Sequence, residues 1–132
     1  MHNPLVAIGL AGLAAWLFGA VWYTSLGKVW QAALGHNPDD CKDKKMPLTP
    51  LVVCLVAEWV MAAVLYQALD HLGVMGWQAG AIAGLTLGIG FLLTTTVVNN
   101  LFQQRKPMLT VIDGAHWVVV VAIEGAVIGA FL

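Results

Sequence analysis

Three acids and one histidine stand inside stretches that are otherwise almost wholly apolar: Glu58, Asp113, His116 and Glu124. Carboxylates and imidazoles take up and release protons, and carboxylates attract cations. A charged side chain near the centre of a bilayer costs about 2.5–3.5 kcal/mol on insertion scales, so each one needs a physical reason to be there. At 100° per residue Asp113, His116, Trp117 and Glu124 share one face of a helix. Counted at about 1.5 Å per residue from the inner ends of their segments, Glu58 and His116 reach similar depths. This predicts a paired Glu58–His116 site between two helices that titrates as a unit. Trp16, Trp59 and Trp117 also fall near mid-depth, away from the interfacial belt where tryptophan usually sits. An acid with aromatics close by can receive an organic cation through charge and cation–π attraction. Glu58 and Trp59, being adjacent, point about 100° apart and need not line one cavity.

The plainer reading of these groups is structural, with buried polar side chains bonded across helices to fix register. Thr94, Thr95, Thr96, Asn99, Asn100 and Arg105 are then the expected ties for Asp113. Glu124, nearer the outer end, would reach water.

The elements that position these residues follow from composition. Of 132 residues 60% are hydrophobic and 10% charged, against about 50% and 25% in soluble domains. The solvent that suits such a chain is lipid. A hydrocarbon core of about 30 Å needs roughly 20 apolar residues of helix. Four stretches qualify, at about 4–25, 48–69, 77–100 and 107–132. Period-two alternation is absent, which leaves helices rather than a barrel to satisfy the backbone in lipid. The expected fold is all-α, a single four-helix transmembrane domain. The first stretch lacks the basic residues of a secretory signal and reads as a retained helix.

Basic residues set the expected orientation. Lys28, Lys42, Lys44 and Lys45 lie between the first two spans, and Arg105 and Lys106 between the last two. The loop at 70–76 has none. The positive-inside rule places loops 26–47 and 101–106 in the cytoplasm and both termini outside a bacterial inner membrane. Lys28 to Leu34 reads as a short interfacial helix anchored by Trp30 and ended at Gly35. Asp39, Asp40 and Asp43 lack the spacing of a calcium loop. A net charge of −1 gives no footprint for nucleic acid.

Packing is expected from glycine. Gly76, Gly80, Gly84 and Gly88 recur at four-residue steps in the third span, forming one slowly turning groove. Gly9, Gly12 and Gly19 make a comparable stripe on the first, and Gly125 and Gly129 add to the fourth. Such stripes serve either the bundle itself or a seam with a second copy. Cys41 and Cys54 sit in unlike surroundings, and neither a disulfide framework nor a metal site is expected. No soluble-type catalytic motif is present, so no catalytic residue and no cofactor is assigned, and an enzyme is not expected.

Two short patterns resemble a known family. Gly19-Ala20-Val21-Trp22-Tyr23-Thr24-Ser25, with Gly27-Lys28-Val29-Trp30 after it, is similar to the family's first-helix and loop signature. Asn100-Leu101-Phe102 and Ile112-Asp113-Gly114-Ala115-His116 are similar to its third-loop and fourth-helix pattern. The family is the one catalogued as domain of unknown function 1761, bacterial proteins of four predicted membrane helices. The resemblance implies the same architecture and marks Trp22, Tyr23, Trp30, Asp113 and His116. It brings no activity with it, and Glu58 lies outside its motifs.

The resulting expectation is a small inner-membrane protein, homo-oligomeric or part of a larger membrane complex, that binds or moves a small solute or protons. The alternative is an accessory or scaffold subunit. The ligand is unspecified, and the lipid bilayer is its constant partner.

Overall fold

The computed structural model describes residues 3–37 and 47–132. Asp39, Asp40, Cys41, Lys42, Asp43, Lys44 and Lys45, on which much of the first loop's expected charge pattern rests, lie outside the described residues.

Helix α1 spans Pro4–Ser25, and its start is fixed by two local devices. The Asn3 side chain accepts a hydrogen bond from the Leu5 N–H at 3.0 Å, and Pro4 occupies the first turn, where its missing N–H costs nothing. Helix α2 spans Gly27–Ala33 and ends at Gly35, whose φ of +88° suits a residue without a Cβ. Helix α3 covers Leu48–His71 behind the extended Pro47. Helix α4 covers Trp77–Phe102, and α5 covers Pro107–Phe131, again with proline in the first turn. Among the described residues there is no strand. Four of the helices, all but α2, are long and apolar enough to cross a membrane. The chain is an all-helical, multi-pass membrane protein, and the helix ends fall within two residues of the expected spans.

Helix α5 is the hub. Half of its most apolar window is buried, against 11% for α4, and it packs on α1, α2, α3 and α4. Lipid offers little hydrophobic drive between helices, so close backbone approach governs the packing. The α4 glycines provide it. A Cβ on Gly80 or Gly84 would run into the backbone of Gly125 or Val121, and one on Gly88 would lie 3.0 Å from the Val118 Cα. The Gly76 N–H donates to the Gly129 carbonyl at 2.8 Å and closes the outer end of the seam. This stripe is consumed inside the chain. On the opposite side α1 offers Ala7, Ala11, Gly12 and Ala15, all buried. Two apolar clusters result: Ala11, Ala62, Leu65, Leu69, Val121 and Ile128 in one half, and Ala33, Leu109 and Ile112 under α2 in the other.

Helix α4 is not regular throughout. Residues Gly88–Leu93 form a π-helical segment, and the threonines after it bond back into their own helix. Thr94 Oγ1 donates to the Gly90 carbonyl at 2.9 Å, Thr95 to that of Phe91, and Thr96 to that of Leu92 at 2.8 Å. Such hydroxyls serve the carbonyls that a widened turn leaves poorly paired. Having bonded locally, these threonines do not tie Asp113. Asn100 is spent as well, its Nδ2 donating to Thr110 Oγ1 at 3.0 Å.

Candidate functional site

Asp113 and His116 are one turn apart on α5 and face the junction of α1 with α2. Asp113 Oδ1 accepts two hydrogen bonds, from the Tyr23 hydroxyl at 2.6 Å and from Trp30 Nε1 at 3.2 Å. The shorter one has the length of a charge-assisted bond. Trp22 Nε1 donates to the Ile112 carbonyl at 3.2 Å, and Lys106 Nζ donates to the Ala32 carbonyl at 3.1 Å. The end of α1, all of α2 and the first two turns of α5 are therefore one bonded unit. Trp30 is a half-buried member of this unit rather than a mere interfacial anchor. Arg105 does not hold Asp113 either, since its Nε donates to Gln103 Oε1 at 3.3 Å.

His116 is 3% exposed and lies among rings. It stacks on Phe18 at 5.9 Å and an interplanar angle of 11°, tilts against Tyr23 at 4.9 Å, and meets Trp117 edge-on at 4.8 Å. Gly19 makes room for it: a Cβ there would lie 2.9 Å from His116 Nε2. The other ring nitrogen, Nδ1, is buried and has no hydrogen-bond partner.

Beside this ring cluster opens a cavity of about 230 Å³, walled by Trp16, Tyr23, Trp30 and Trp117 and reaching His116 and Cys54. Trp16 Nε1 donates to the Leu51 carbonyl at 3.0 Å, which fastens that wall to α3. Two of the three tryptophans expected at a solute site are thus present, and Trp59 is the exception. It turns outward, is 40% exposed, lies over Gly12 and donates its Nε1 to the Gly9 carbonyl at 3.2 Å. The reason is geometric: a residue next to Glu58 is rotated about 100° from it, and Glu58 takes the interior.

Glu58 is fully buried, as expected of a mid-membrane acid, but it is not bonded to His116. Its Oε1 accepts from the Cys54 thiol at 3.7 Å, and its Oε2 has no partner. The acid within Coulombic range of it is Glu124. Glu124 does not reach outer water: it is fully buried and both its oxygens lack a partner. It sits three residues after Val121 and four before Ile128, both core residues, and helical periodicity turns it inward with them. The polar residues therefore separate into an Asp113–Tyr23–Trp30–His116 cluster with a cavity and a Glu58–Glu124 pair beyond it. Among the described residues no group of three or more His, Cys, Asp or Glu could hold a metal ion.

A larger hollow of about 460 Å³ lies at the inner ends, lined by Ala33, Leu34, Gly35, Gln103, Gln104, Arg105 and Lys106. It is open and shallow, with no buried polar group to orient a ligand, and the enclosed aromatic cavity is the stronger candidate. Sequence reasoning missed the carboxylate–phenol–indole bonding of Asp113, Tyr23 and Trp30, whose members lie 90 and 83 positions apart. The one signal for it was the two family patterns, whose marked residues Trp22, Tyr23, Trp30, Asp113 and His116 converge here.

No curated protein and no solved structure matches the chain. A family model does match, described as Protein of unknown function (DUF1761), over residues 6–129. The chain belongs to this family.

Proposed function

For this member of the DUF1761 family we propose binding of a small organic cation inside the bilayer, and its passage across, with the aromatic cavity beside His116 as the site. The observation that carries the reading is the make-up of the wall. Four aromatic side chains surround about 230 Å³, and Asp113 is bonded directly to two of them. No Lys or Arg lines the cavity. An aromatic face attracts a desolvated cation by about 0.5–2 kcal/mol, and a carboxylate one bond behind the wall adds a negative field in a medium of low dielectric. An apolar cavity of about 150 Å³ accommodates one benzene ring, so this one suits a one-ring amine or a compact quaternary ammonium.

The basic loops place Lys28, Arg105 and Lys106 on the cytoplasmic side of a bacterial inner membrane and both termini outside. A C-terminal alkaline phosphatase fusion should then be active, and an inactive one would reverse the orientation. No side chain is given a catalytic role, and no cofactor or nucleic acid enters.

The test is a titration of the protein in lipid nanodiscs with benzyltrimethylammonium, read by tryptophan fluorescence and repeated with neopentylbenzene, its uncharged isostere. Saturable quenching by the cation, absent or much weaker with the isostere, is the expected result. Equal binding of the two would remove the cation from the proposal.

A second reading, an accessory subunit in a larger complex, draws on α4. With 11% of its apolar window buried, this helix leaves most of its surface to lipid or to a partner. Co-purification of a stoichiometric second protein in mild detergent, with no cation binding, would favour it.

A further inference from the structure

Glu58 and Glu124 belong to none of the bonding just described. Both are fully buried and are among the largest side chains with no contact to solvent. Of their four carboxylate oxygens, three have no hydrogen-bond partner, and the fourth receives only the Cys54 thiol at 3.7 Å. Buried oxygens without partners are rare because each loses its hydration for nothing in return.

No counter-charge faces the pair. Helix α1 turns Ala7, Ala11 and Ala15 inward, and α4 turns Gly80, Gly84 and Gly88, with no titratable residue between Trp77 and Phe102. The other titratable groups on α3 are Cys54, already bonded to Glu58, Tyr66, packed against the Leu65–Leu69 cluster, and Asp70 and His71 at the exposed outer end. On α5 they are His116, inside its ring cluster, and Asp113, bonded to Tyr23 and Trp30. Two ionised carboxylates within Coulombic range in such surroundings would face both desolvation and mutual repulsion. A metal ion would need more ligands than the two acids provide.

We infer that Glu58 and Glu124 form a proton-binding site between α3 and α5, where the ligand is the proton itself, held by one carboxyl or shared between the two. The site is joined to the aromatic cavity through Cys54, which lines that cavity and donates to Glu58. The inference stands whether or not the cavity takes a cation, because it uses neither the rings nor Asp113.

Infrared difference spectroscopy of the whole protein in lipid nanodiscs tests it. The native protein should show a carboxylic acid C=O band near neutral pH that shifts in D2O and declines reversibly as the medium is taken towards about pH 9–10. Glu58→Gln and Glu124→Gln should each remove about half of the band, and the double variant all of it, while Asp113→Asn leaves it in place. Absence of the band from the native protein, or its persistence at full size in the double variant, would overturn the inference. If the double variant does not fold, the native protein decides by itself. Dicyclohexylcarbodiimide adds the O–H of a protonated carboxyl across one of its C=N bonds, and the adduct rearranges to an N-acylurea with no leaving group. Peptide mass mapping should then find the mass of one reagent on Glu58 or Glu124. Labelling that spares both, or that sodium ions suppress at constant pH, would overturn the inference equally.

Discussion

The two sides of α5 solve the same packing problem in opposite ways. Towards α4 it lays backbone on backbone: Gly80 and Gly84 meet Gly125 and Val121, Gly76 bonds to Gly129, and no buried side chain between them carries a polar atom. Towards α1, α2 and α3 it presents Asp113, His116 and Glu124, packs them with bulky rings, and leaves a cavity of about 230 Å³ and four buried polar atoms without partners. Small residues fit closely and rigidly, whereas rings and carboxyls leave gaps and unmet bonds. The first side is built to hold, and the second has features that only a bound species would complete.

Breaking the tight side should have the largest effect. Gly84→Leu forces a side chain into the Val121 backbone and should cost about 3 kcal/mol or more, read as loss of the monodisperse folded protein in mild detergent. Next comes the tie that organises the open side. Asp113→Asn replaces the charged acceptor of Tyr23 and Trp30, should destabilise by about 1.5–3 kcal/mol, and should weaken benzyltrimethylammonium binding about tenfold in the nanodisc titration. If binding survives unchanged, Asp113 serves packing alone. A smaller effect is expected at the wall: Trp117→Leu removes one ring and should weaken the cation about fivefold, or near 1 kcal/mol. Trp59→Leu, on the outward face, should leave affinity unaltered. The smallest effect is the sharpest control. Gly9 has open space where a Cβ would go, so Gly9→Ala should change the melting temperature little and in the stabilising direction, by about 0.5 kcal/mol. A loss there as large as at Gly84 would mean that glycine stripes act through something other than fit.

The spans were readable because twenty apolar residues between polar loops have one good solution in lipid, and Pro4, Gly35 and Pro107 punctuate them as local chemistry requires. The direction each residue faces was much harder to read. In a helix that is apolar all round, the core face and the lipid face look alike, so nothing in the sequence distinguishes Trp59, which turns out, from Trp117, which turns in. The depth estimate for Glu58 and His116 was compatible with pairing, but depth does not fix azimuth, and Glu58 lies towards Glu124. Glu124 itself looked like a terminal acid until α5 was seen to bury Val121 and Ile128 on either side of it. The bonds of Asp113 to Tyr23 and Trp30 join opposite ends of the chain, and only short patterns of no evident chemistry hinted at them.

The π-helical segment Gly88–Leu93 has a consequence for how this chain can vary. Such a turn accommodates one residue more than an α-helical turn does, and so resets the phase of everything after it. Before it the glycines point at α5; after it Asn100 is brought onto Thr110 of the same helix. Removing one residue from this stretch would relax it to an α-helix and swing the inner end of α4 by roughly 100°, unhooking Asn100 and leaving the glycine seam untouched. A one-residue deletion is therefore survivable here in a way that it is not elsewhere in the bundle, and length variation among spans aligned on their glycines should concentrate at this place.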